Sequence, residues 1–382
     1  MPMTKSFSSF AFFLLISSFP FHSLSQSPSP NPRLEKAYIA LQAWKHAITS
    51  DPKNLTADWC GPHVCNYTGV FCAPAPDDPS ITTVAGIDLN HGRISGTLPD
   101  ELSLLSDLAL FHLNSNRFSG TLPSSLCDLR RLFELDVSNN RLSGPFPDFV
   151  LDLPELRFLD LRFNRFRGAV PAQAFNGGST AKLDAFFIND NKFNFSLPAN
   201  LGNSTASVIV LANNRIGGCL PASIGGMGKT LNQLVILNTG LTGCIPPEIG
   251  NLKRLTVFDV SFNELVGPLP ATMGEMKKLE QLDVAHNLLS GEIPEGICEL
   301  PRLKNFTYSY NYFCNEPKIC LKVRRQDDRR NCIPWRPEQR SPEECAAFLS
   351  KPVHCDAYGC STRPPPSPPP PTPPPPPPPY HY

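Results

Sequence analysis

One short pattern returns along most of this chain, and its period leaves few folds open. Residues 135–145 read LDVSNNRLSGP, 159–169 LDLRFNRFRGA, 258–268 FDVSFNELVGP and 282–292 LDVAHNLLSGE. Each approximates L-x-L-x-x-N-x-L-x-G. The asparagine position falls at Gly92, Asn116, Asn140, Asn164, Asn191, Asn214, Thr239, Asn263, Asn287 and Asn311, with a spacing of 24 in six of nine intervals. The other intervals are 27, 23 and 25, around an insertion at residues 176–180. The two apolar residues of L-x-L point inward from a short strand. The asparagine also turns inward, where its amide can serve backbone groups of neighbouring turns that would otherwise be buried unpaired. One such unit cannot bury its own apolar face, whereas stacked units share a continuous core. The period therefore predicts a curved solenoid with a parallel sheet on its concave side.

Pairs such as Leu98-Pro99, Leu122-Pro123, Ile245-Pro246 and Ile293-Pro294 are expected to close the convex side. Gly92 and Thr239 lack the amide, so the ladder should weaken there or use a water or a hydroxyl. Solenoid ends expose core and need caps. Residues 34–48 carry helical apolar spacing and lead into Cys65 and Cys72, which are expected to close an N-terminal cap. A second cysteine-rich stretch runs from Cys314 through Cys320, Cys332, Cys345 and Cys355 to Cys360. The expected organisation is a signal peptide at 1–25, an N-terminal helical and cysteine cap at 26–80, repeats at 81–313, a C-terminal cap at 314–360 and a Pro-rich tail at 361–382.

The compartment follows from the first residues and the thirteen cysteines. Lys5, an apolar run at 10–16 and small residues up to Ser25 form a secretory signal, with cleavage expected near Ser25–Gln26. That run is far below the roughly 20 apolar residues a membrane span needs, and no other stretch reads as a span. Sequons at Asn54, Asn66, Asn194, Asn203 and Asn305 suit the same route. Cys219 and Cys244 occupy equivalent positions of consecutive repeats and are expected to bridge them. Thirteen is odd, so at least one thiol is unpaired or joins another molecule. Cys60 and Cys127 are the first candidates, and a disulfide-linked homodimer is the expected consequence. Thirty-four basic and thirty-four acidic residues balance, which argues against a nucleic-acid partner. No metal-ligand cluster, cofactor loop or nucleophile motif accompanies His91, His112 or His286, so neither metal, cofactor nor catalysis is expected.

The concave strand face is more informative. The residue between the inward pair runs Asp88, His112, Asp136, Asp160, Phe187, Val210, Val235, Asp259, Asp283, Thr307 along the stack. Neighbouring strands lie about 4.8 Å apart, so Asp136 adjoins Asp160 and Asp259 adjoins Asp283. Like charges so placed destabilise a sheet, although Arg157 or Arg162 is within reach of the first pair. Between the pairs lie Phe187, Val210, Val235 and Leu237. Phe262 and Tyr310 fall in a neighbouring column. An apolar centre with acidic flanks suits a basic peptide.

The residues that carry a wider resemblance are 65–74 (CNYTGVFCAP), 132–141 (LFELDVSNNR), 256–270 (TVFDVSFNELVGPLP), 305–311 (NFTYSYN) and 327–332 (DDRRNC). Over about residues 35–360 the chain resembles the repeat domain of plant leucine-rich repeat extensins, including their pollen-expressed relatives. The resemblance implies an α/β leucine-rich-repeat solenoid of about ten plant-type repeats. It also implies a cell-wall protein that binds rapid alkalinization factor peptides, which are small, basic and cysteine-containing, and that takes part in wall organisation and growth. Cys60 and Cys314 stand outside the family pattern. The extensin part is reduced to one serine–tetraproline unit, Ser367 with Pro368, Pro369, Pro370 and Pro371, then a proline run. Proline imposes polyproline II there. The prolines are expected to be hydroxylated, and Tyr380 and Tyr382 to be available for cross-linking to wall polymers. The alternative is an extracellular inhibitor of microbial wall hydrolases, similar to polygalacturonase-inhibiting proteins. The tail and the C-terminal cysteines speak against it.

Overall fold

A computed structural model describes residues 31–176, 182–351, 353 and 355. The signal peptide, the tail prolines 368–371 and Tyr380 and Tyr382 lie outside the described residues. The repeats stack as a solenoid. Twelve strands, from Val70–Pro74 and Thr82–Asp88 to Asn305–Thr307 and Arg325–Asp327, bond in chain order into one sheet. The first pair is antiparallel and the rest are parallel. The register is the one the period requires: Asp136 faces Asp160, Val210 faces Val235, and Asp259 faces Asp283.

A second row of short strands follows the ladder residues. Six of them, Ile48–Ser50, Ser95–Gly96, Arg117–Gly120, Arg141–Gly144, Arg165–Gly168 and Lys192–Phe193, form one sheet. Four more, from Thr242–Gly243 to Tyr312–Asn315, form another. The turns then close through short 3₁₀ segments such as Ser124–Asp128 and Pro247–Asn251, each beginning after a proline that presets the backbone. Leu126 and Ile249 insert from these segments into the shared core.

The ladder is a hydrogen-bond device. Asn140 Nδ2 donates to the carbonyls of Leu113, Val137 and Ser138, and its Oδ1 accepts from Phe118 N–H at 2.9 Å. The same set recurs at Asn164, Asn287 and Asn311. At Thr239 a hydroxyl does stand in, with Ile236 O at 3.2 Å and Asn263 Oδ1 at 3.0 Å as the two acceptors its one proton can reach. At Gly92 a Cβ would lie 2.9 Å from Asn116 Oδ1, so the absent side chain leaves room for the next amide.

The ladder also runs one turn beyond the ten repeats counted from sequence. Asn331 is fully buried, donates to Tyr308 O and Asp328 O, and accepts from Phe313 N–H. The residue before each ladder position, from His91 to Tyr310 and again Arg330, has φ between 52° and 61°. Left-handed backbone at a non-glycine residue costs about 1–2 kcal/mol, so the ladder bonds hold each turn against a standing strain.

The caps cover both ends. The helix Pro32–Ala47 is capped by the Asn31 side chain and buries Ala37, Ala40, Leu41 and Trp44. Trp44 packs 5.6 Å from the rings of both Trp59 and Phe111, and Cys65 pairs with Cys72. At the other end a capping box at Ser341 and Glu344 starts the helix Pro342–Leu349, whose Phe348 stacks on Tyr312 at 3.6 Å. Cys298 pairs with Cys320, and Cys332 with Cys345.

The expected Cys219–Cys244 bridge is not formed. Cys244 pairs with Cys355, 111 residues on, and Cys219 is disulfide-bonded elsewhere. Equivalent positions in adjacent turns do not by themselves bring two sulfurs into bonding geometry. A returning C-terminal segment meets Cys244 instead. Cys60, Cys127 and Cys314 are free.

Candidate functional site on the concave sheet

Each aspartate of the concave column sits at the end of its strand, where the next turn begins. Asp88, Asp136, Asp160, Asp259 and Asp283 each accept the N–H of the residue two positions on through Oδ1. Ser138 and Ser261 add their hydroxyls to the same oxygens. These carboxylates therefore complete the turn as well as charging the face. Asparagine at these positions would keep the acceptor and remove the charge.

The two acidic pairs differ. Asp160, expected on the surface, is fully buried, so it is not available as a peptide contact. Its Oδ2 lies 2.9 Å from Arg162 Nε in an ion pair, and Arg162 also caps the Phe187 ring at 5.1 Å. That guanidinium offsets one charge of the first pair, and Asp136 beside it is half-buried. Asp259 and Asp283 are both half-buried, face each other in register and have no cationic partner among the described residues. With Val257, Gln281, Asn305 and Thr307 they line a depression of about 120 Å³.

Burial pushes the carboxyl of Asp160 up to about 7, with the charge of Asp136 adding to it. Asp283 is pushed up to about 6, again by burial first, against its bond from Ala285 N–H and with the charges of Asp259 and Asp327. Folded values above the unfolded Asp value of about 3.9 mean that the folded chain holds the extra protons. Stability from these groups is therefore greatest at and below pH ~4. It falls as pH rises through about 6 and then about 7, by on the order of 2–4 kcal/mol for Asp160. Asp160→Asn is expected to flatten urea midpoints between pH 5 and 8. Midpoints that still fall as steeply in the variant would contradict the assignment.

The apolar centre is continuous. Phe187, Val210 and Val235 are register partners, half-buried, with half-buried Leu237 one pleat further along. Beside the acidic pair, Phe262, His286 and Tyr310 stack ring on ring at 4.1 and 4.2 Å. Phe262 is 53% exposed and Tyr310 38% exposed. The expected site included the two end rings and missed His286, whose burial between them lowers its pKa. The expectation also missed Asp327, which extends the acidic column past Thr307 but is held by Arg329. The interval from each column aspartate to its ladder residue is four, as in Asp283 to Asn287. Asp327 to Asn331 repeats it, and that spacing was the available clue.

Among the sequons, Asn54, Asn66, Asn194 and Asn203 are exposed, while Asn305 is half-buried on a concave strand. Among the described residues no cluster of His, Cys, Asp and Glu can hold a metal, and no helix is long and apolar enough to cross a membrane.

Comparison with known proteins follows the same lines. Residues 37–73 match the leucine rich repeat N-terminal domain model, and residues 107–129, 131–153 and 278–300 match the Leucine Rich Repeat model. The Arabidopsis thaliana leucine-rich repeat extensin-like protein 6 is 65% identical over 339 residues, 88% of this chain and 71% of that one. Leucine-rich repeat extensin-like protein 3 of the same plant is 66% identical over 340 residues, again 88% of this chain but 44% of that protein. Among solved structures, the Arabidopsis receptor kinase HAESA LRR ectodomain, in complex with a peptide hormone ligand, superposes with TM-score 0.67. It has 26% identity over 78% of this chain and 50% of that one. A TDR receptor gives TM-score 0.60 and 30% identity over 65% of this chain and 43% of that one. A solenoid with this ladder, these caps and relatives of this similarity belongs to the leucine-rich repeat extensin-like family.

Proposed function

We propose that the chain is a secreted wall protein whose concave sheet binds a small, basic, cysteine-containing peptide of the rapid alkalinization factor type, and that this binding acts on wall formation and growth. The carrying observation is the pairing of an apolar strip, Phe187, Val210, Val235 and Leu237, with the acidic pair Asp259 and Asp283, which has no cationic partner among the described residues. Apolar strips give buried area, whereas charge at the rim steers encounter and fixes orientation. The HAESA ectodomain, which shares the fold, was solved with a peptide hormone bound. The exposed thiol of Cys60 supports a covalent homodimer. A doubled mass on a non-reducing gel that Cys60→Ser abolishes is the expected result. A wild-type chain migrating as a monomer would remove the dimer without touching the peptide site.

The charge contribution is tested by Asp259→Asn with Asp283→Asn, which retains both turn acceptors. Surface kinetics with a rapid alkalinization factor peptide at two salt concentrations should show association slowed by about tenfold at low salt, with its salt dependence reduced. Lowering the pH from 7 to 5 should slow association by wild type as well, because Asp283 takes up its proton near 6. Rates in the double variant equal to wild type at both salt concentrations would remove the acidic pair from the site.

A further inference from the structure

The residue directly after the ladder position is cationic in six consecutive turns: Arg93, Arg117, Arg141, Arg165, Lys192 and Arg215. All six are exposed. Among the described residues none forms an ion pair. Four of them open strands of the six-stranded second sheet, and Arg215 bridges to it at Asn194. Adjacent members sit on neighbouring strands, offset by two residues in register, since Arg141 faces Ser119 and Arg165 faces Ser143. The fold does not require a cation there. The backbone N–H of this residue makes the structural bond, as Arg117 does to Ile94 O. In the next four turns the same position is Gly240, Glu264, Leu288 and Tyr312. A row of like charges on neighbouring strands carries a repulsive cost, and no ion pair among the described residues offsets it.

The surroundings narrow the ligand. Two depressions lie along the row. One, of about 400 Å³, is lined by Lys53, His91, Ser115 and Asn139 together with Arg93 and Arg117. The other, of about 750 Å³, is lined by Asn191, Asn194, Asn213 and Asn238 together with Lys192 and Arg215. Amides at both ends, exposed Asn139 at one and exposed Asn194 and Asn238 at the other, with the Ser115 hydroxyl at the first, match a ligand rich in hydroxyl groups. Between them Phe163 is 49% exposed, a flat apolar surface for the C–H face of a ring. Asp190, two residues before Lys192, is occupied by the amides of Asn189 and Asn213.

We infer that this edge of the solenoid binds a linear acidic polysaccharide, a polyuronate whose carboxylates pair with successive cations while its hydroxyls meet the asparagines. The site is separate from the concave peptide face. An acidic polypeptide would use the cations alone and has no need of the amide-lined ends.

The test is binding of a de-esterified oligogalacturonide of roughly ten units, long enough at the strand spacing to span the row. The full-length chain carries Asn194→Gln, so that no sugar at that sequon crowds the Arg215 end. The expected result is binding that weakens steeply with salt, as counterion release requires, and is lost when the oligosaccharide is methyl-esterified. Arg117→Gln with Arg141→Gln and Arg165→Gln should lower affinity by about tenfold or more while melting no lower than the parent. Arg141→Gln alone should give a smaller loss in the same direction, which keeps the reading open if the triple variant is poorly secreted. The triple variant should bind the basic peptide as the parent does, and the Asp259→Asn, Asp283→Asn variant should bind the oligosaccharide as the parent does. Equal affinity of parent and triple variant, or tighter binding of polyglutamate than of the uronate, would overturn the inference.

Discussion

Replacing Asn263 by leucine is expected to cost about 3–6 kcal/mol, roughly twice the cost of the same change at Asn140. Both side chains are ladder amides, but they serve different numbers of groups. Asn140 Oδ1 accepts one backbone N–H, from Phe118. Asn263 Oδ1 accepts from Thr239 N–H, Thr239 Oγ1 and Leu241 N–H, all at 3.0 Å. Its Nδ2 also donates to the carbonyls of Ile236, Val260 and Ser261. Thr239 has no amide of its own to offer, so Asn263 secures the turn before it as well as its own. Leucine would strand two buried N–H groups at position 263, against one at position 140, while the Thr239 hydroxyl keeps Ile236 O as its acceptor. A buried donor without a partner costs about 1–3 kcal/mol. Urea midpoints of the two variants against wild type, read by backbone circular dichroism, give the comparison. Equal losses would mean that the turn at Thr239 is held by its other contacts.

The second large effect falls on binding. Leu237→Asp places a carboxylate in the apolar centre, beside the register column of Val210 and Val235. The half-buried leucine gives up apolar area that a docked peptide would cover, and the new charge must be desolvated or must keep water in the interface. Dissociation is expected to quicken by about ten- to a hundredfold, with association changed much less, because short-range packing acts mainly on the lifetime of a complex. The opposite pattern, slow association with an unchanged off-rate, would assign position 237 to steering rather than to contact.

Much of this architecture is legible in the sequence because its period is tied to geometry. A 24-residue interval with two inward residues and an inward amide fixes strand order, register and the composition of each surface column. The Asp259–Asp283 pair and the Val210–Val235 pair could be placed for that reason. What escaped were features that depend on side-chain direction or on distant segments. Asp160 holds the same repeat position as Asp136, but Arg162 pairs with it and lies over the Phe187 ring of the next strand. The partner of Cys244 comes from Cys355, and no local spacing encodes that return. The eleventh ladder turn at Asn331 follows its predecessor by 20 residues, outside the common interval, although the Asp327–Asn331 spacing preserves the local motif. The cationic row was present in the same alignment of repeats, one column beyond those read for a peptide site.

The most direct test of the peptide site is where the ligand lies. A photo-activatable residue is placed at Val235 in the concave centre and, separately, at Trp335, which is fully exposed in the C-terminal cap. Each chain is illuminated with a rapid alkalinization factor peptide and the adduct is read by mass spectrometry. Covalent capture from position 235, competed by unlabelled peptide, with none from position 335, is the expected result. Capture from position 335 with none from position 235 would contradict a concave site and move the peptide onto the cap.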